Sequence, residues 1–205
     1  MSVRSNLSRE DWIEAAQKVL IGGGIDAVRV DTLAKAMKIT RGSFYYHFKS
    51  RGDLLSSILD QWRARATEDV IQHLRSSDGE PAQQLEQLLE LPYRGQRAKD
   101  AASIELAIRA WARRDDQARR AMNEVDRHRL AYIESLLLQA GADPAEAMAR
   151  AHLVYSYQIS LSLLGEEEEL ERSQRTQRIT TILLPPPTTA TVSQHSLIEP
   201  TEDRS

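Results

Sequence analysis

The chain has 205 residues, of which 41% are hydrophobic and 28% charged, with 27 Lys/Arg against 30 Asp/Glu and no cysteine. This length suits one or two compact domains with a substantial core, and the lack of cysteine excludes a disulfide framework and thiolate metal sites. No apolar run approaches the roughly 20 residues that a membrane helix needs, and the first residues lack the apolar core of a secretory signal, so we expect a cytoplasmic protein.

The net charge of −3 is unevenly distributed along the chain. Residues 1–51 contain nine Lys/Arg against five Asp/Glu, a net charge of +4, whereas the remainder contains 18 against 25, a net charge of −7. A basic N-terminal part on an acidic body is typical of a protein that contacts phosphate groups at one end only.

Helical periodicity dominates the chain, and no strand-like alternation of useful length appears. Ser8 precedes an acidic first turn and can cap the first helix, and the glycines at 22–24 are expected to end it. The predicted helices span about residues 9–21, 29–37, 40–48, 53–74, 81–91, 98–112, 115–140, 144–165 and 166–184. Three prolines at 185–187 stop the last helix, and the polar residues after them are predicted to be disordered. The fold class is therefore predicted to be all-α.

The most informative stretch runs from Ile25 to Leu55, IDAVRVDTLAKAMKITRGSFYYHFKSRGDLL. It indicates two short helices joined by a tight turn, as in a helix-turn-helix whose second helix enters the DNA major groove. On a helical wheel Phe44 and Phe48 share one face, while the opposite face and its flanks carry Gly42, Ser43, Tyr45 and Tyr46. One apolar face with glycine and tyrosine opposite suits a helix that approaches another surface closely.

Each polar side chain around this helix has a chemistry that suits DNA. Thr40 can cap the helix, Arg41 can reach a guanine edge or a phosphate, and His47 and Lys49 can contact phosphates. The candidate DNA-binding residues are Arg29, Thr40, Arg41, Gly42, Ser43, Tyr45, Tyr46, His47 and Lys49. The alternative is that the aromatic and histidine residues simply belong to the core and surface of a small helical bundle.

This stretch resembles the N-terminal domain of TetR-family transcriptional regulators, with the similarity covering roughly residues 9–60. The resemblance implies an N-terminal three-helix helix-turn-helix domain followed by a helical ligand-binding and dimerisation domain. We place these domains at residues 1–52 and 53–184, before the tail at 185–205. The resemblance also implies a homodimeric, ligand-responsive repressor that binds a pseudo-palindromic DNA operator.

Two positions depart from the family pattern. The family commonly has glycine in the turn between the second and third helices, where this chain has Lys38, and a lysine at positive φ would cost on the order of 1 kcal/mol. The family tends to place Ser or Thr at the start of the second helix, where this chain has Arg29, so a good cap is lost. Both departures add positive charge and leave the DNA-binding interpretation unchanged.

The acidic body offers candidates for the dimer interface and for the effector site that the resemblance implies. A helix over 144–165 that is apolar on most faces is expected to pack against both its own fold and a partner, the alternative being the central helix of a monomer core. The candidate interface residues are Leu153, Tyr157, Leu161, Leu164, Ile179 and Ile182. The candidate effector-binding residues are Trp111, His128, Tyr132, His152, Tyr155 and Gln158, each of which could instead be an ordinary packing residue.

Other chemistry finds little support in the sequence. The five histidines include no i, i+4 pair, and Glu124 with His128 alone is a weak metal signal, so we expect no metal site and no cofactor. Arg109 and Arg129 are expected to pair with Glu105 or Asp126 rather than to bind an anion. No phosphate-binding loop, nucleophile elbow or catalytic carboxylate pair appears, so the chain is not predicted to be an enzyme. The remaining alternative is a helical interaction protein that has this fold but acts through protein partners rather than DNA.

Overall fold

The computed structural model describes residues 7–68, 79–90, 95–164 and 169–183, and every regular element among them is helical. The predicted all-α class is therefore confirmed. The α-helices are α1 Arg9–Gly23, α2 Val30–Ala36, α3 Arg41–His47, α4 Arg51–Arg63, α5 Pro81–Glu90, α6 Gln96–Ala112, α7 Asp116–Gln139, α8 Pro144–Leu161 and α9 Glu169–Leu183.

The observed helix limits lie within a few residues of the predicted ones. A 3₁₀ turn over Ile25–Ala27 follows α1, and a π-helix over Ala64–Glu68 continues α4. The π-helix covers the first part of the predicted extension of α4 to Leu74. The rest of that extension, the acidic start of the last helix before Glu169 and the C-terminal tail lie outside the described residues. Within the described ranges, no helix is both long enough and apolar enough to cross a bilayer.

Local signals fix both ends of α1. Ser8 forms a capping box with Asp11, because each side chain bonds the other residue's backbone N–H. The helix ends at Gly23, and Gly24 follows with φ 71° and ψ −178°. The glycines thus end the helix as the sequence predicts, and Gly24 has a backbone conformation that glycine adopts without a steric penalty.

Two hydrophobic clusters organise the molecule. The first contains Trp12, Phe44 and Phe48 from the N-terminal helices and continues into Trp111 of α6 and Val125 of α7. The second joins α5, α7, α8 and α9. The first cluster contains residues of both the N-terminal helices and the body helices, so the core that anchors α3 extends into the body. The predicted domain boundary at 52/53 falls in the first turn of α4 and remains a proposal.

The turn between α2 and α3 is built on Lys38, which has φ 57°. The backbone N–H of Ile39 then bonds back to the carbonyl of Ala34 at 2.9 Å, which closes the turn and directs the chain into α3. The strained lysine that the sequence predicts is therefore present.

Replacing Lys38 with glycine is expected to raise the free energy of unfolding by about 1 kcal/mol, because it removes the left-handed penalty of a residue with a Cβ atom. Lys35→Gly is the matched control, since it removes the same charge from an exposed position of regular helix. It should lower the free energy of unfolding by about 1 kcal/mol. Urea denaturation of both variants checks the prediction, and destabilisation by Lys38→Gly would show that the turn carries no such strain.

Candidate nucleic-acid interface

Two phenylalanines anchor α3 to the N-terminal core. Phe44 and Phe48 are 0% and 1% exposed, and their rings stack with centroids 5.3 Å apart. The Trp12 and Phe44 rings pack edge-to-face with their centroids 5.3 Å apart, and the guanidinium of Arg9 lies 4.8 Å from the centroid of the Phe48 ring. The predicted buried face of α3 is therefore confirmed.

The opposite face of α3 is open to solvent. Tyr46 is 86% exposed and Tyr45 57% exposed, and Gly42 is also exposed. Ser43 and His47 are partly buried at the edges of this face. Exposed tyrosines on a helix whose other side is locked into a core are typical of a binding surface, because the aromatic rings gain nothing from solvent.

The start of α3 differs in one respect from the prediction. Thr40 occupies the N-cap position, but its hydroxyl accepts no backbone hydrogen bond, so the predicted side-chain cap is wrong. Its backbone is extended, with φ −83° and ψ 151°, and the carbonyl accepts from Ser43 N–H at 3.2 Å. Thr40 is exposed, so its hydroxyl is available to a partner outside the chain.

Basic side chains lie on both sides of the exposed tyrosines. Arg29 is the N-cap of α2 without a side-chain cap, as its sequence predicts, and its Nε donates to the Asp26 carbonyl at 3.0 Å. Arg41 Nε lies 2.9 Å from Asp31 Oδ1. Lys49 is exposed, and its backbone N–H donates to Asp53 at 2.9 Å at the start of α4.

The exposed side of α2 adds residues that the sequence analysis did not single out. An open depression of about 590 Å³ is lined by Asp31, Thr32, Lys35 and Ala36. Because Leu33 and Ala34 are buried, these four positions must face outwards. Applying the helical wheel to α2 as well as to α3 would have found them.

A network of charged groups lies where α6, α7 and α8 meet. Arg109 binds Glu105 at 2.9 Å and Asp126 at 2.8 Å, and Arg129 binds Glu105 at 2.9 Å. The Tyr155 hydroxyl donates to Asp126 at 2.6 Å. The pairing predicted for both arginines is present, and the two positive and two negative charges balance.

Burial and charge both act on the groups of this network. Burial raises the pKa of Tyr155 to about 12; the charges of Arg129 and Arg109 act to lower this pKa, whereas the Glu105 charge and the Asp126 hydrogen bond act to raise it. Burial alone would lower the pKa of Arg109, but its hydrogen bond to Asp126 and the charge of Glu105 raise that pKa above its ordinary value. The tyrosine therefore stays protonated and the arginine stays charged at neutral pH.

The six candidate effector residues lie in different environments in the described structure. Trp111 is buried in the first hydrophobic cluster, while His128 and His152 are exposed. The other three hold helices together: besides Tyr155, Tyr132 bonds Gln84 at 3.2 Å and Gln158 donates to the Leu88 carbonyl at 2.8 Å. Their role towards an effector remains a prediction.

A second depression, of about 270 Å³, lies between α4 and α7. It is lined by Asp60, Arg63, Ala64, Thr67, Glu124, Val125 and His128. Arg63 crosses it to bind Glu124 at 2.8 Å, which ties α4 to the body. No cluster of three or more metal-ligating side chains is found in the described parts of the chain.

The candidate dimer residues divide into an exposed and a half-buried group. Leu153, Leu164 and Ile182 are 60%, 62% and 72% exposed, although they are large and apolar. Tyr157, Leu161 and Ile179 are partly buried, and the Tyr157 hydroxyl accepts from Arg175 at 3.2 Å. Each side chain of the exposed group is left largely uncovered by the described part of its own protomer.

The sequence and the fold both match known regulators. Residues 13–58 match the family model of bacterial regulatory proteins, tetR family. The HTH-type transcriptional regulator AcrR of Shigella flexneri is 27% identical over 82 residues, which span 40% of this chain and 38% of AcrR.

Solved structures share the fold at lower identity. Salmonella enterica GusR is 19% identical with a TM-score of 0.68, over 86% of this chain and 94% of its own. AibR, solved in complex with isovaleryl coenzyme A and operator DNA, is 16% identical with a TM-score of 0.66, over 87% of this chain and 98% of its own. Of these proteins, AcrR is a transcriptional regulator and AibR was solved bound to operator DNA. The resemblance noted in the sequence is thus confirmed over residues 13–58, which match the model of the tetR family of bacterial regulatory proteins.

Proposed function

We propose that this protein is a transcriptional repressor that reads DNA with α3 as a homodimer and releases it when a small molecule binds the body. The observation that carries the proposal is the pair of exposed tyrosines, Tyr45 and Tyr46, on a helix fixed to the core by Phe44 and Phe48. A rigid scaffold with an exposed polar and aromatic face is what major-groove recognition requires.

The roles of the individual residues follow from their positions. Thr40, Arg41, Gly42, Ser43, Tyr45 and Tyr46 form the reading face of α3. Arg29, His47 and Lys49 lie around it, where they can bind phosphates and fix the register without reading sequence. Gly42 is exposed and a Cβ there would meet little within the chain, so glycine serves close approach from outside.

A single helix-turn-helix makes too few base contacts for operator-level specificity, which dimers supply by reading two half-sites. The exposed Leu153, Leu164 and Ile182 support an interface formed by α8 and α9 from each subunit, to which the partly buried Tyr157, Leu161 and Ile179 would also contribute. An isologous interface of this kind would place two α3 helices on one side of the dimer.

The effector is proposed to act where α5, α7 and α8 are held together by polar contacts. Trp111 is buried in the first hydrophobic cluster, and His128 and His152 are exposed, so we favour Tyr132, Tyr155 and Gln158 as contacts. Arg129 bonds Tyr155 at 3.2 Å and also donates through Nε to the Ala66 carbonyl of the π-helix at 3.1 Å. A ligand that displaces Tyr155 would therefore disturb the helix that leads to the N-terminal domain. The coupling required is about 1–3 kcal/mol.

AibR, with which this chain shares a fold, has been solved with both operator DNA and isovaleryl coenzyme A. That pairing supports an operator and a small-molecule effector for this chain as well, without identifying either. Action on DNA implies a cytoplasmic site of action.

Selection of bound sequences from random duplex DNA tests this proposal. We expect enrichment of an inverted repeat whose half-sites lie about one helical turn, 10–10.5 bp, or a multiple of it apart. Enrichment of a single half-site without symmetry would contradict the dimer. No enrichment over the starting pool would contradict DNA reading and leave the protein-partner alternative. Repeating the selection with a panel of small organic acids and their coenzyme A esters tests the effector.

A further inference from the structure

Asp31 is the only acidic residue in the segment from Val30 to His47, which contains α2 and α3. It is exposed in the first turn of α2 and lines the open depression on the surface proposed to face DNA. Near a phosphate backbone a carboxylate weakens binding, because it opposes the charge neutralisation that drives association. We therefore expect the Asp31 carboxylate to make a contact whose benefit offsets this loss of DNA affinity.

The contact of Asp31 is with the arginine that opens α3. Its Oδ1 lies 2.9 Å from Arg41 Nε, and the two side chains are 69% and 63% exposed. An ion pair this exposed contributes about 0–1 kcal/mol to stability. A contribution to folding stability is thus too small to explain why Asp31 and Arg41 are paired here.

The geometry of the contact leaves the reading end of the arginine available. The closest approach is a charge contact through Nε rather than an aligned hydrogen bond, and within the described part of the chain the terminal nitrogens of Arg41 have no recorded hydrogen-bond acceptor. Arginine reads guanine by donating two parallel hydrogen bonds to O6 and N7. A carboxylate at Nε restricts the guanidinium before binding, which reduces the side-chain entropy that is lost when DNA is bound.

We propose that Asp31 is a positioning residue that presents Arg41 to a guanine and so sets base specificity at one position of each half-site. The charge that it adds lowers affinity for all DNA, whereas the orientation that it imposes favours one sequence. Asp31 thereby increases the ratio of specific to non-specific binding. This inference rests on the proposed DNA-reading function.

The test measures binding to the selected duplex, to duplexes with each base pair replaced, and to a random-sequence duplex. The proteins are the full-length chain, Asp31→Ala, Arg41→Ala and the double variant. Asp26→Ala is the matched control, since it removes an exposed carboxylate from the neighbouring 3₁₀ turn. Circular dichroism verifies that each variant is folded.

Arg41→Ala should abolish the preference for guanine at one position per half-site. Asp31→Ala should reduce the preference at that same position about fivefold or more, the lower end of what a bidentate arginine–guanine pair contributes, and should tighten binding to the random duplex. The double variant should lose no more preference than Arg41→Ala alone, because the two residues act together. Asp26→Ala should leave the preference unchanged.

An equal gain in affinity of Asp31→Ala for every duplex, with the guanine preference intact, would overturn the inference, since Asp31 would then only compete with DNA for Arg41. An Arg41→Ala variant that keeps every base preference of the full-length chain would overturn the inference as well. If the full-length chain itself does not distinguish the selected duplex from the random one, the proposed function fails along with the inference. These outcomes are distinguishable from one another.

Discussion

Replacing Phe44 with alanine is expected to lower the free energy of unfolding by about 3–5 kcal/mol and to abolish DNA binding. The side chain is fully buried between Trp12 and Phe48, so its removal leaves a cavity in the cluster that joins the N-terminal helices to the body. Loss of this anchor also frees α3 from the core. Chemical denaturation and a gel-shift titration measure the two effects.

Tyr45→Ala is the matched control, because it removes an aromatic ring from the next position on the same helix. Tyr45 is 57% exposed and packs edge-on against Phe44 at 5.2 Å, so the loss of stability should stay near 1 kcal/mol. DNA affinity should still fall, since Tyr45 belongs to the reading face. Equal destabilisation by both variants would contradict the division of α3 into an anchoring and a reading face.

Replacing Glu105 with alanine is expected to destabilise the protein by about 3–5 kcal/mol. Its carboxylate is 16% exposed and bonds both Arg109 and Arg129, so its removal leaves a positive charge largely shielded from water and without its counter-charge. Asp126 can still neutralise Arg109, whereas Arg129 retains only the Tyr155 hydroxyl and the Ala66 carbonyl among its described partners. Thermal and urea denaturation measure the loss.

Glu146→Ala is the control for this prediction. Glu146 forms the same kind of i, i+4 pair with Arg150 at 2.7 Å, but its side chain is 59% exposed. Exposed pairs contribute little because water screens both charges, so this variant should lose less than about 1 kcal/mol. A similar loss in both variants would show that burial is not what makes the Glu105 network important.

The parts of the fold that could be predicted are those fixed by short-range patterns. The burial of Phe44 and Phe48 follows from their spacing of four residues, and the capping of α1 by Ser8 follows from the residues beside it. Positive φ at Lys38 could be predicted because the resemblance places a tight turn there. Pairing of Arg109 with Glu105 follows from i, i+4 spacing on one helix.

The parts that could not be predicted depend on contacts between elements. The Asp31–Arg41 pair joins two helices across the turn, and no spacing within either helix indicates it. The exposure of His128 and His152 depends on how α7 and α8 pack. Residue type alone does not reveal that packing, so the sequence predicts the same effector-binding role for these two histidines as for Tyr132 and Tyr155. The missing hydroxyl cap at Thr40 reflects a side-chain orientation, which residue preference at the N-cap does not determine.

Binding of the selected operator duplex by the full-length chain and by the Tyr46→Ala/Lys49→Ala variant tests the central claim most directly. Both residues are exposed, so the variant should remain folded and keep its oligomeric state in sedimentation. We predict steeply salt-dependent binding for the full-length chain, as phosphate contacts require, and loss of specific binding in the variant. Undiminished operator affinity in a folded variant would contradict the claim that α3 is the DNA-reading element.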